Sequence, residues 1–91
     1  DKNITIVMFM LSYLKIVYPS IKTYVWTGYT FEYLLDKYGK WIFRDIDTLI
    51  DGKFELDKKN ITLKLRGSSN QRVIDVQKSL NENKIILSNI S

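Results

Sequence analysis

Apolar positions recur at helical spacing through the first part of the chain. Ile4, Val7, Leu11, Leu14 and Tyr18 fall on one stripe, and Phe9, Met10, Tyr13 and Ile16 widen it. The pattern predicts a helix from Ile4 to Val17, covered over much of its surface by a sheet or a partner. Asn3 suits its N-cap, and Pro19-Ser20 stops it. Lys22 to Trp26 is β-branched and aromatic and predicts a strand ending at Thr27-Gly28. Phe31 to Tyr38 predicts a second helix, capped by Thr30 and ended by Gly39. Ile46 to Ile50 has the continuous apolar character of a strand buried on both faces, closed by Asp51-Gly52. Lys53 to Asn60 is a charged connection, and Ile61 to Leu65 alternates as a strand does. Arg72 to Leu80 predicts a third helix, with Val73, Val76, Gln77 and Leu80 inward. Asn81–Asn83 then turns into a last strand, Lys84 to Leu87, and a frayed tail from Ser88.

Helices alternating with strands predict an α/β fold with a mainly parallel sheet and right-handed crossover helices. The chain opens on a helix with no strand before it, so the expectation is the later part of a larger α/β unit. In parallel sheets ligands bind at the C-terminal strand ends. Three such ends carry a glycine and polar residues: Thr27-Gly28-Tyr29, Asp51-Gly52-Lys53 and Arg66-Gly67-Ser68-Ser69-Asn70. If parallel, all three loops lie on one edge, where a polar ligand could sit. The third loop, read as opening onto a helix, suits either an anion site or an ordinary N-cap.

Composition narrows the chemistry. The 91 residues make one small domain and are 45% hydrophobic, as a folded chain is. Neither cysteine nor histidine is present, so thiolate and imidazole ligands and the commonest general base are excluded from this chain. The net charge of +4 comes from scattered lysines without a basic stripe, which gives no sign of a nucleic-acid partner. The apolar run from Ile4 to Leu14 is too short to span a bilayer, and no signal peptide is read; the expected compartment is the cytoplasm. Asp45, Asp47 and Asp51 are too few and too linear to make a metal site. Tyr13, Tyr33 and Tyr38 are expected in the core, and Trp26 is expected to pack.

Three phrases in this order and spacing carry a resemblance. They are Val25-Trp26-Thr27-Gly28-Tyr29-Thr30, Ile46-Asp47-Thr48-Leu49-Ile50-Asp51-Gly52-Lys53-Phe54 and Leu65-Arg66-Gly67-Ser68-Ser69-Asn70-Gln71-Arg72. Together they resemble the C-terminal half of the activating proteins of anaerobic ribonucleoside-triphosphate reductase, a radical S-adenosylmethionine family. The likeness covers about Asn3 to Leu87. It implies the C-terminal half of a partial (β/α) barrel with a [4Fe-4S] cluster at its mouth. That cluster cleaves S-adenosylmethionine, and the radical formed takes a hydrogen from a glycine of the reductase large subunit. The family's three-cysteine motif and its Gly-rich motif are both absent here, which implies a C-terminal fragment, inactive by itself. The resemblance assigns Thr27, Gly28, Asp51, Lys53, Arg66, Ser68, Ser69 and Asn70 to cofactor binding, with the signature-loop residues holding either cofactor or partner. The competing readings are a non-catalytic α/β nucleotide- or phosphate-binding module and a purely structural product.

Overall fold

The computed structural model describes residues 2–89, with side chains from Thr5 onward. Helix α1 (Lys2–Val17) leads to strand β1 (Tyr24–Trp26) and helix α2 (Phe31–Tyr38). A 3-10 turn at Lys40–Phe43 precedes strand β2 (Thr48–Asp51), and another at Leu56–Lys58 lies in the long connection to strand β3 (Arg72–Asp75). Helix α3 (Val76–Glu82) follows without a break. The N-cap expected of Asn3 lies outside the described side chains, and Ile90 and Ser91 of the expected frayed tail lie outside the described residues.

The fold is α/β, but the sheet is mixed rather than mainly parallel. Its order is β1-β2-β3. β1 and β2 run parallel, with Val25 opposite Leu49, and β2 and β3 run antiparallel, with Leu49 opposite Ile74. The reason lies in the connections. α2 and the 3-10 turn carry the chain back along one face, as a parallel pair requires. Between β2 and β3 the chain stays at the end where β2 finishes, so β3 runs the other way.

Two predicted elements take other forms. The alternation in Ile61–Leu65 is a turn, not a strand: the Asn60 side-chain oxygen accepts the Thr62 N–H (3.0 Å), and Leu65 has φ 66°. Ile61 points into solvent. Arg72–Asp75, read as the first turn of a helix, is the third strand. Asp75 ends it by accepting the Lys78 N–H (3.1 Å), which caps α3 and fixes the helix start at Val76. The last predicted strand is reduced to one bridge, Ile74 to Leu87, with Ser88 N–H donating to Val73 O (2.8 Å). α2 keeps its predicted span. Its Thr30 hydroxyl accepts the Tyr33 N–H (3.1 Å), and Gly39 ends it at φ 90°.

Alternation across the sheet sends Val25, Leu49 and Ile74 to one face, where Phe31, Leu34, Ile42, Phe43, Ile46 and Val76 close the core. Phe31 and Phe43 stack there at 4.5 Å between ring centroids. Gln77 faces inward as predicted, and its amide nitrogen donates to Phe43 O (3.0 Å) and Ile46 O (2.8 Å).

α1 turns a narrower face to this core than its sequence suggests. Met8 and Leu11 pack against it, and the next turn is anchored by charge. Lys15 Nζ donates to Asp47 Oδ2 (2.6 Å), which also accepts the Thr23 N–H (2.8 Å). Phe9, Met10, Tyr13, Ile16 and Tyr18 remain exposed. Tyr13 and Tyr33 are therefore surface residues, and only Tyr38 of the three tyrosines packs against the core. Trp26 is 57% exposed and does not pack as expected. Among the described residues no helix is long and apolar enough to cross a membrane.

Two outcomes follow from this packing. Leu49→Ala opens a cavity at the centre of the sheet and should lower the unfolding free energy by about 3 kcal/mol, read from urea titration. Burial pushes the Asp47 carboxyl up, but Lys15 and Thr23 together outweigh it and hold it below the usual range. The Arg72 guanidinium likewise holds Glu32 down. Depressed carboxyls stabilise the fold above their unfolded values, 3.8 and 4.5, and lose that contribution as pH falls through the folded ones. The urea midpoint should therefore drop on going from pH 6 to pH 3, and less so in Asp47→Asn; an unchanged midpoint contradicts the assignment.

Candidate functional site

The mixed topology still brings the three glycine loops to one end of the sheet. β1 and β2 both finish there, and antiparallel β3 begins there. The loop from Arg66 to Asn70 thus precedes a strand and opens onto no helix, so no helix dipole points at it. What joins the loops is a set of backbone and amide hydrogen bonds.

The first loop is tied to β2. Thr27 N–H donates to Ile50 O (3.0 Å), and Tyr29 O accepts the Gly52 N–H (2.9 Å). Tyr29 N–H donates to the Thr27 hydroxyl (3.2 Å), which sets the turn that Gly28 makes in open space. The second loop turns at Gly52, whose φ of 91° suits glycine. The third is tied to the second from both sides. Asn70 Nδ2 donates to Lys53 O (2.7 Å), and Gln71 Nε2 donates to Gly52 O (3.0 Å). Gln71 Oε1 in turn accepts the Gly67 N–H (2.9 Å) and the Ser68 N–H (3.2 Å). One amide side chain therefore holds two loops at once. A Cβ at Gly67 would lie 3.1 Å from the ring of the exposed Phe54, which would have to give by a few tenths of an ångström.

Of the eight residues assigned from sequence, two face inward. Asp51 is 1% exposed. Its carboxylate accepts the Phe31 N–H (2.8 Å) and pairs with Arg72 through both oxygens. Ser68 is fully buried, and its hydroxyl accepts the Glu55 N–H (3.2 Å). Both hold loops in place. Gly28, Lys53 and Ser69 are exposed, and Thr27, Arg66 and Asn70 are half-buried. Arg66 Nη1 donates to Gln71 O (2.9 Å). Two polar atoms of this cluster, Arg66 Nε and Asn70 Oδ1, are buried with no hydrogen-bond partner. One is a donor and the other an acceptor, and each unmade bond costs about 1–3 kcal/mol.

Sequence reasoning missed Gln71 and Arg72. Arg72 reaches Glu32 of α2 (2.6 Å) as well as Asp51, and the two carboxylates, Asp51 first, push its pKa up. The signal was present in Asp75, a strong N-cap residue, which would have freed Arg72 and Val73 to be strand. A groove of ≈ 210 Å³ adjoins this end of the sheet, lined among others by Val7, Val25, Trp26, Thr27, Tyr29 and Tyr38. The indole N–H of Trp26 donates to Leu65 O (2.6 Å), so this aromatic borders the cavity and clamps the long connection.

The arrangement can bind and orient a ligand. Its chain has no cysteine or histidine, and among the described residues no group of three or more acidic, cysteine or histidine side chains could hold a metal ion. A [4Fe-4S] cluster requires thiolate ligands, which these residues do not supply. Asp51→Ala leaves Arg72 facing a buried void and frees the start of α2. It should cost roughly 3 kcal/mol in urea unfolding.

The family model described as "4Fe-4S single cluster domain" matches residues 2–74. The chain is 41% identical over 71 residues to the anaerobic ribonucleoside-triphosphate reductase-activating protein of Pasteurella multocida (strain Pm70). That match takes in 77% of this chain and 45% of the relative, so the chain spans about half the length of the protein it resembles. No solved structure matches. With a matching model over most of its length, and the ligands of the eponymous cluster missing from its own residues, the chain belongs to the 4Fe-4S single cluster domain family.

Proposed function

We propose that this chain is the C-terminal portion of an activating enzyme that cleaves S-adenosylmethionine to install a glycyl radical on anaerobic ribonucleoside-triphosphate reductase. The observation that carries the reading is the convergence of three glycine loops at one sheet end, the second and third clasped by Gln71 and Asn70 and the first tied to Gly52 through Tyr29 O, in a chain 41% identical to a reductase-activating protein. The sheet is then the C-terminal part of a partial (β/α) barrel, and residues 1–91 form one structural unit of it. The protein works in the cytoplasm beside the reductase large subunit.

In this reading the loops line the S-adenosylmethionine pocket. Thr27, Gly28, Lys53, Arg66, Ser69 and Asn70 face the ligand, while Asp51 and Ser68 hold the loops from behind. Arg66 and Asn70, both half-buried, bring a guanidinium and an amide to this end of the sheet, groups that complement the carboxylate and the ammonium of an amino-acid ligand. The cluster finds no ligands here, so this chain's task is to bind and orient, and by itself it is inactive.

The test is titration of the isotopically labelled chain by NMR. S-adenosylmethionine should shift the amide signals of Thr27, Lys53 and Asn70 with a Kd of about 1 mM, as expected of half a pocket. Asn70→Ala should weaken the response several-fold. Equal responses to ATP or inorganic phosphate would favour a nucleotide- or phosphate-binding module, and no response at 10-fold excess would refute the site.

A further inference from the structure

The fold gathers charge that the sequence spreads out. Residues 53–66, within the connection from β2 to β3, hold five of the chain's 14 basic residues and two of its 10 acidic ones. They carry +3 of the net +4, so the rest of the chain is close to neutral. The connection doubles back on itself. Lys59 bridges to Ser68 in antiparallel fashion, Asn60 N–H donates to Gly67 O (3.1 Å), and Ser69 N–H donates to Lys58 O (2.9 Å). Lys58 and Lys59 therefore lie on one limb of a hairpin, and Lys64 and Arg66 on the turn that returns. Lys58 meets Glu55 at 3.8 Å, whereas among the described residues the exposed Lys59 and Lys64 enter no ion pair.

The tip is also apolar and held in shape. Ile61 is 87% and Leu56 74% exposed, and residues 55–66 include no aromatic side chain. Trp26 Nε1 donates to Leu65 O (2.6 Å), pinning a residue whose φ of 66° is left-handed. A surface fixed before it meets a partner loses little conformational entropy on binding. The base of the hairpin is the Gly67–Asn70 loop, which Asn70 and Gln71 clasp to Gly52 and Lys53. The hairpin thus stands at the rim of the candidate site.

Lysines without acidic partners around exposed aliphatic side chains suit an acidic protein surface with an apolar contact. A surface for single-stranded nucleic acid would set aromatic rings among the charges, for bases to stack on. We propose that the hairpin of residues 56–66 is the docking surface for the protein that receives the radical. It seats an acidic segment of the reductase on Lys59 and Lys64, and an apolar side chain of that segment on Ile61. The inference rests on the function proposed above and adds the element and the chemistry that recognise the partner.

The experiment measures binding of the whole activating protein that carries this chain to its own reductase large subunit, by biolayer interferometry. Raising salt from about 50 to about 200 mM should weaken the wild-type complex several-fold. Lys59→Glu with Lys64→Glu should weaken it about 10-fold at low salt and remove most of the salt dependence. Lys22→Glu with Lys78→Glu makes the same change in net charge on exposed lysines at the opposite end of the sheet, and should leave binding within about two-fold. Ile61→Ser should weaken binding several-fold with the salt dependence intact. Equal loss in the two double variants overturns the proposal, as does wild-type affinity in Lys59→Glu with Lys64→Glu. Tighter binding of a single-stranded oligonucleotide than of the reductase at the same lysines overturns it in favour of nucleic acid. Any of these results with the S-adenosylmethionine response at Thr27 and Asn70 intact leaves the ligand site standing. Absence of wild-type binding to the reductase overturns both the docking and the function above.

Discussion

The Asp51 carboxylate is the group on which the arrangement depends. It lies at the last residue of β2, buried, and receives the Phe31 N–H and the Arg72 guanidinium. These contacts join the end of β2 to the start of β3 and to the first turn of α2. A buried carboxylate is tolerated only with such partners, because its desolvation is otherwise too costly. Arg72 adds Glu32 to the set and so ties the exposed side of α2 to β3. The loops on either side inherit their positions from this ion pair.

A second carboxylate, the half-buried Asp47 just before β2, performs the corresponding task at the strand's other end. It takes Lys15 from α1 and the Thr23 N–H from the residue before β1. Thus each end of the same short strand carries an acid that fastens other elements to it. α1 depends on the second of these, since among its described side chains Met8 and Leu11 are the ones that pack against the core. The helix is held by one turn of polar contacts and leaves the rest of its apolar surface free.

At the loop end, amides add to the Asp51–Arg72 pair. Gln71 and Asn70 reach the carbonyls of Gly52 and Lys53, and Gln71 also collects two backbone N–H groups of its own loop. Such a closed network fixes loop geometry without filling the space in front of it. Arg66 and Asn70 keep one buried, unmatched atom each within this network. The groove beside Trp26 is lined by α1, β1 and core side chains and, of the three loops, reaches only the first, at Thr27 and Tyr29.

The sequence by itself determined the local features: α1, the span and caps of α2, the buried run of β2, and the absence of any thiolate or imidazole ligand. These follow from helical spacing, a Thr at N-cap, a Gly at the C-terminus and composition, all of which act over a few residues. The convergence of the three glycine loops was also anticipated, but through a parallel sheet that does not exist. Only the tertiary structure decided that Arg72–Asp75 is a strand running against β2, because its pairing partners lie some twenty positions away and its Val73 and Val76 satisfy helical spacing equally well. It likewise decided that Asp51 and Ser68 face inward and that Gln71 is the clasp. Whether a polar side chain meets a ligand or a neighbouring loop depends on which distant backbone groups the fold brings within 3 Å, and no pattern of near neighbours records that.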